Sequence, residues 1–159
     1  MLKKNRLLFG FMGSVAAIGG LWLPQAVAQS RSSGEFFQGR GVTQGAAFSR
    51  GRNANVSLTL DRDNFRLEMT EIQATSRNRA PGRVDYRGAI VRRNPDSSSP
   101  NSFTLTTRVR SFDSSEIFRV LPNTTGTCRI EVFDARVIYS NCTTVADDGS
   151  TRFLGLEQF

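Results

Sequence analysis

Apolar and polar residues alternate with a period of two along much of the chain. Val56, Leu58 and Leu60 share one side of an extended segment, with Ser57 and Thr59 on the other. After Asp61-Arg62-Asp63-Asn64, Phe65, Leu67 and Met69 alternate with Arg66, Glu68 and Thr70, which predicts a hairpin with a four-residue connection. Val84, Tyr86, Gly88 and Ile90 form the next set, and Phe103, Leu105, Thr107 and Val109 alternate with Thr104, Thr106, Arg108 and Arg110. Phe36 to Thr43 predicts a first strand, in which Gly39 and Gly41 weaken the pairing or mark a bend.

The intervening stretches carry turn chemistry. Gly45 to Asn55 is rich in Gly and Arg and predicts a loop or irregular strand. Pro81-Gly82 closes a polar segment that starts at Ala74. Asn94 to Ser102, with two prolines and four serines, predicts a flexible excursion. Ser114 to Val120 fits a helical turn or a strand, and Pro122 to Gly126 reads as a turn. Asp147-Asp148-Gly149 turns the chain into a last segment, Thr151 to Phe159, whose final Phe suggests docking.

No window of twelve residues carries a helical period. About eight short strands with local turns indicate a single small antiparallel all-β domain over residues 35–159. Sequential hairpins favour an up-and-down β-barrel over a two-sheet sandwich.

The first residues follow a different pattern. Lys3, Lys4 and Arg6 precede an apolar stretch from Leu7 to Leu23 that four glycines interrupt. Pro24 ends it, and Ala26-Val27-Ala28 before Gln29 is the small-x-small pattern of a signal-peptidase site. Residues 1–28 therefore read as a cleavable signal peptide with cleavage between Ala28 and Gln29, and 29–34 as a flexible new N-terminus. The stretch is short of the ~20 apolar residues of a membrane span, and no second long apolar run follows. The expected location is periplasmic or extracellular.

Cleavage changes the composition. It leaves about 130 residues, enough for one domain with a core. Both lysines and the only Trp lie before Ala28, and the chain has no His. The formal charge of +7 falls to a modest +4, all of it from arginine. That balance does not point to nucleic acid. Without His, Ser-His-Asp and Cys-His hydrolysis is excluded and most zinc sites lose their usual ligand. Without Lys, Schiff-base chemistry and a P-loop are excluded. No cofactor is implied.

Cys128 and Cys142 are the only cysteines, and export would take them to an oxidising compartment, where a disulfide is the default. Thr127 to Phe133 and Val137 to Thr143 suit strands. A hairpin centred on Ala135 sets Phe133 against Val137, Val132 against Ile138 and Cys128 against Cys142. Closing a loop of about fifteen residues is worth roughly 3 kcal/mol in the chain-entropy account.

Arg77, Arg79, Arg83, Arg87, Arg92 and Arg93 are the sharpest candidate site, with Asp85 the only acid between Gln73 and Asn94. Guanidinium forks suit a carboxylate, sulfate or phosphate on an acidic polysaccharide, a lipid headgroup or an acidic protein. The alternative is a solvated rim in a chain that uses Arg in place of Lys. Paired carboxylates offer less. Glu68 and Glu71 point to opposite faces of a strand, and Asp61 with Asp63, like Asp147 with Asp148, suits a turn. Asp61-Arg62-Asp63-Asn64 begins like a calcium loop but has Arg66 where Gly is required. The expectation is an exported, non-catalytic β-domain that binds an anionic or small apolar ligand. Its alternatives are a structural or inhibitory envelope protein acting by protein contact, a carboxylate-dependent hydrolase, and a small outer-membrane barrel. The expected strands of about five to eight residues argue against the last.

Overall fold

The computed structural model describes residues 34–72, 80–115, 121–145 and 149–156. The signal peptide, the Ala28/Gln29 cleavage point, Arg77, Arg79, residues 116–120, Asp147, Asp148 and Phe159 lie outside the described residues.

Eight strands follow one another: β1 (Glu35–Gly45), β2 (Phe48–Asp61), β3 (Asn64–Glu71), β4 (Arg83–Pro95), β5 (Phe103–Ser114), β6 (Leu121–Phe133), β7 (Arg136–Thr144) and β8 (Thr151–Gly155). Each pairs antiparallel with the next, and β8 returns to β1 from Gly41–Gly155 to Gly45–Thr151. The result is a closed antiparallel barrel. The alternating apolar sets face inward, so Leu58, Leu60, Phe65, Leu67, Met69, Val84 and Leu105 are all buried. An eight-stranded barrel is just wide enough for side chains to fill. Phe48, Tyr86, Phe112 and Phe153, each fully buried, occupy the interior.

Several strands are longer than the sequence suggested: β2 has 14 residues, β4 and β6 have 13, and β5 has 12. Length therefore does not separate this barrel from one that crosses a membrane. Facing bears on the question: the apolar sets of β2–β6 point in and their outer face carries Arg66, Glu68, Arg83, Arg87, Arg108, Arg110 and Arg129, while β1, β7 and β8 expose Val42, Ile138 and Leu154. A membrane barrel needs the reverse arrangement at its lipid band.

Other expectations are corrected too. The Gly45–Asn55 segment is strand apart from a turn at Ala46-Ala47, because Phe48 and Ala54 still supply inward positions. The β2–β3 connection is a two-residue turn, with Asp61 paired to Asn64 and Arg62 at φ 52°. Pro122 to Gly126 belongs to β6, where Asn123 at φ 59° and a register shift against β5 absorb the irregularity. β4 extends to Pro95, leaving a loop at 96–102 in which Asp96 accepts bonds from the Ser98 amide and hydroxyl.

Cys128 pairs with Cys142 and forms the disulfide, with a Cα–Cα distance of 4.0 Å. The route to that register differs from the expected one. Asp134 and Ala135 form a two-residue turn, both at positive φ, so Phe133 faces Arg136 and Val132 faces Val137. A bulge at Ile138 then shifts the register back, and Glu131 faces Tyr139.

Closure rests on a short element. β8 has five residues, and past its end β1 meets β7 through one parallel bridge, Gln38 to Arg136. The backbones converge there. A Cβ on Gly41 would run into the Leu154 carbonyl, and one on Gly39 into the Val137 carbonyl. The two glycines thus mark the seam rather than a simple weakness in β1. The opposite wall is tied in as well: the buried Tyr86 hydroxyl on β4 donates to the Gly149 carbonyl and lies 2.7 Å from Thr151 Oγ1.

Gly41→Ala should lower stability by about 1–3 kcal/mol, because a backbone carbonyl cannot swing away as a side chain would; urea denaturation measures it. Burial raises the Tyr86 pKa above its ordinary value of 10.0. The phenol therefore stabilises the fold fully below that value, and this contribution fades as pH rises above it towards the raised folded pKa. Tyr86→Phe should cost about 1–3 kcal/mol at neutral pH and flatten the stability loss above pH ~10, read by denaturation midpoints across that range.

Candidate functional site

All described members of the arginine cluster lie on β4: Arg83, Arg87, Arg92 and Arg93. An extended strand rises about 3.3 Å per residue, so Arg83 and Arg93 stand roughly 30 Å apart. No small ligand spans that distance. The cluster divides into two groups with different surroundings.

The first group surrounds Asp85. This residue faces outward yet is only 1% exposed, because guanidinium groups roof it. Arg66 Nε reaches its two carboxylate oxygens at 3.2 and 3.1 Å, and Arg87 Nη2 reaches Oδ2 at 2.7 Å. Arg83 Nε lies 3.1 Å from Glu68 and its Nη2 3.7 Å from Asp85. The pairing register explains the need. Glu68, Asp85 and Asp113 stand in one row across β3, β4 and β5. Like charges directly opposite each other are unfavourable, and the arginines offset them. Asp85 and its neighbours hold the Arg87 guanidinium above its ordinary pKa. Arg83 and Arg87 are thus committed to acids of the sheet itself.

The second group lies at the barrel end where β1 begins, β2 turns into β3 and β4 finishes. Arg93 makes a two-point pair with Glu35 at 2.8 Å for each bond, and its guanidinium sits 3.9 Å above the Phe103 ring. Phe103 in turn meets Phe37 edge-on, 5.1 Å between centroids. The Arg93 hydrogen bonds, opposed by partial burial, hold the Glu35 carboxyl below its ordinary value. Beside this pair opens a cleft of about 460 Å³. Leu60, Ile90 and Val91 give it an apolar side. Glu35, Arg62, Asp63, Arg92 and Arg93 line the remainder. The Ile90 amide donates to the Asp63 carbonyl at 2.8 Å and fixes the turn against β4. A register shift between Ile90 and Arg92 breaks the alternation and leaves Val91, Arg92 and Arg93 all exposed. Among the described residues, Arg62 and Arg92 make no ion pair.

Among the described residues, the carboxylate candidates do not converge. Glu68 joins the outer network, while the buried Glu71 accepts the Gly82 amide at 3.0 Å and lies 3.7 Å from Arg52. Asp61 and Asp63 flank the hairpin turn.

Sequence reading found Arg92 and Arg93 but not Glu35, Arg62 or Val91. Glu35 and Arg93 are 58 positions apart, and no local pattern links them. Arg62 lies in a turn whose length sequence alone overestimated. In comparisons with known proteins, no family model, no curated protein and no solved structure matches the chain.

The Glu35–Arg93 pair stabilises the fold above the ordinary Glu value of 4.5, and the contribution is lost as pH falls through the lowered folded value. Both side chains are partly solvated, so Glu35→Gln should cost no more than about 1 kcal/mol at pH 7. It should also reduce the drop in denaturation midpoint between pH 5 and pH 3.

Proposed function

We propose that this chain is an exported, non-catalytic binding barrel whose mouth cleft takes a small anion carrying an apolar portion. The observation that carries the reading is the placement of Arg62 and Arg92, which make no ion pair among the described residues, beside Leu60, Ile90 and Val91. The cleft volume falls within the ~300–1,000 Å³ typical of small-molecule sites, and barrel mouths are a common place for them. The packed interior directs the search for a ligand to the surface. The signal pattern before Gln29 and the Cys128–Cys142 bridge support export. The lack of His throughout, and of Lys after Ala28, supports a binding role over catalysis.

A second reading, action through protein contact, draws on an exposed apolar group. Val42 and Leu154 are paired across β1 and β8, with Ile138 and Leu156 close by. Concentration-dependent self-association, or capture of an envelope protein that Leu154→Arg abolishes, would favour it.

Calorimetric titration with octyl phosphate, octanol and inorganic phosphate tests the first reading. Octyl phosphate should bind best, with an affinity that falls as salt rises. Arg62→Ala with Arg92→Ala should weaken it by about tenfold or more. Equal binding of octyl phosphate by the protein and its double variant would overturn the proposal.

A further inference from the structure

Cations also gather on the outer face of β4, β5 and β6, away from the Asp85 network. The register places Arg92 beside Thr106 on one side and Arg129 beside it on the other. Arg108 follows Thr106 two positions along β5, on the same face. Directly opposed residues lie about 5 Å apart and next-but-one residues about 7 Å apart. Thr106 is thus flanked by guanidinium-bearing residues on three sides, and Arg110 extends the row. Among the described residues, Arg92, Arg108 and Arg110 make no ion pair. Arg129 bonds Glu131, the one acid among the outward positions from Thr104 to Arg110 on β5 and Thr125 to Glu131 on β6.

On β5, β6 and β7 the side chains between these cations are hydroxyls and amides, while β4 sets Ala89 opposite Arg108 and Val91 next to Arg92. Thr127 lies opposite both Arg108 and Thr143, with the two threonine hydroxyls 3.3 Å apart, and Asn141 lies opposite Arg129. The face has no outward aromatic ring between Thr104 and Arg110 or between Thr125 and Glu131 on which a base could stack. Those β5 and β6 positions offer no apolar side chain to enter a lipid layer, and Val91 is a single exposed apolar side chain on the β4 edge. Closely spaced guanidinium groups interleaved with hydroxyls suit a polymer that presents carboxylate or sulfate groups among sugar hydroxyls.

We propose that the outer face of β4–β6 binds an acidic polysaccharide, with Arg92, Arg108 and Arg129 around Thr106 holding one carboxylate or sulfate. This site shares Arg92 with the mouth cleft, while Arg108 and Arg129 belong to it alone. The test measures binding of the full protein to immobilised polygalacturonate, dextran sulfate and neutral dextran across a salt series. Single-stranded DNA and anionic phospholipid vesicles serve as rival partners. Either or both acidic polymers should bind and neutral dextran should not; polygalacturonate alone assigns a carboxylate, dextran sulfate alone a sulfate. Arg108→Gln with Arg129→Gln should weaken binding by about tenfold or more and flatten its salt dependence. Arg40→Gln with Arg136→Gln removes the same net charge elsewhere and should leave binding unchanged. Circular dichroism confirms that each variant is folded. Equal losses in the two double variants would reduce the effect to net charge and overturn the site. DNA or vesicles bound as tightly as the acidic polymers would overturn the ligand class.

Discussion

The barrel depends on how its shortest strand reaches its first. β8 contributes five residues, so closure is achieved by backbones drawn together at Gly39 and Gly41 rather than by a long ladder. Closure in this register keeps the inward positions of β1 and β8, such as Thr43 and Phe153, side by side in the interior. A one-residue slip would turn one strand's buried set outward. The bonds around the seam reinforce one another. The disulfide joins β6 to β7, Cys142 pairs with Thr151 on β8, and the Thr151 side chain meets the Tyr86 hydroxyl on β4. A weak closing strand is thereby held from two directions.

Charge on the outer wall follows from the same register. Antiparallel pairing lines up Glu68, Asp85 and Asp113, and a carboxylate as buried as Asp85 is tolerated only when paired and hydrogen-bonded. The arginines that meet this need lie in adjoining rows, among them Arg66 and Arg87, which face each other across β3 and β4. Arginine suits the task better than lysine, since one planar fork can serve two carboxylates, as Arg66 does for Asp85 and Glu68. Farther round the wall, Arg92, Arg108 and Arg129 each stand opposite a threonine, and of the three only Arg129 bonds an acid, Glu131. The same residue type thus has two roles, decided by what the neighbouring strand places beside it.

Alternation made the strands legible, and local hairpin order made the topology legible, because both signals span only a few residues. The disulfide was legible for a less secure reason. A shorter turn and the Ile138 bulge cancel, so the expected cysteine register survives although the expected pairs nearest the turn do not. The charge network was not legible. Asp85 looked like an isolated acid among arginines, yet Arg66 is 19 positions from it and Glu35 is 58 from Arg93. Strand length also misled, because Gly/Arg-rich and Pro-containing stretches were read as loops where inward residues keep the sheet going. The comparison with a membrane barrel then turns on which face is apolar, not on how long the strands are.

The bulge in β4 connects the two candidate surfaces. Regular alternation from the inward Ile90 would place Val91 and Arg93 outward and Arg92 inward. The register shift between Ile90 and Arg92 makes Val91 an extra, exposed residue and brings Arg92 to the outer face opposite Thr106, leaving Arg93 opposite the inward Leu105. Arg93 then turns over Phe103 at the mouth and meets Glu35. Because the interior is packed to its aromatic rings, binding chemistry depends on surfaces that the pleat alone would not shape. One inserted residue provides such a surface: it opens an apolar notch at the barrel end and leaves a cation on the outer wall.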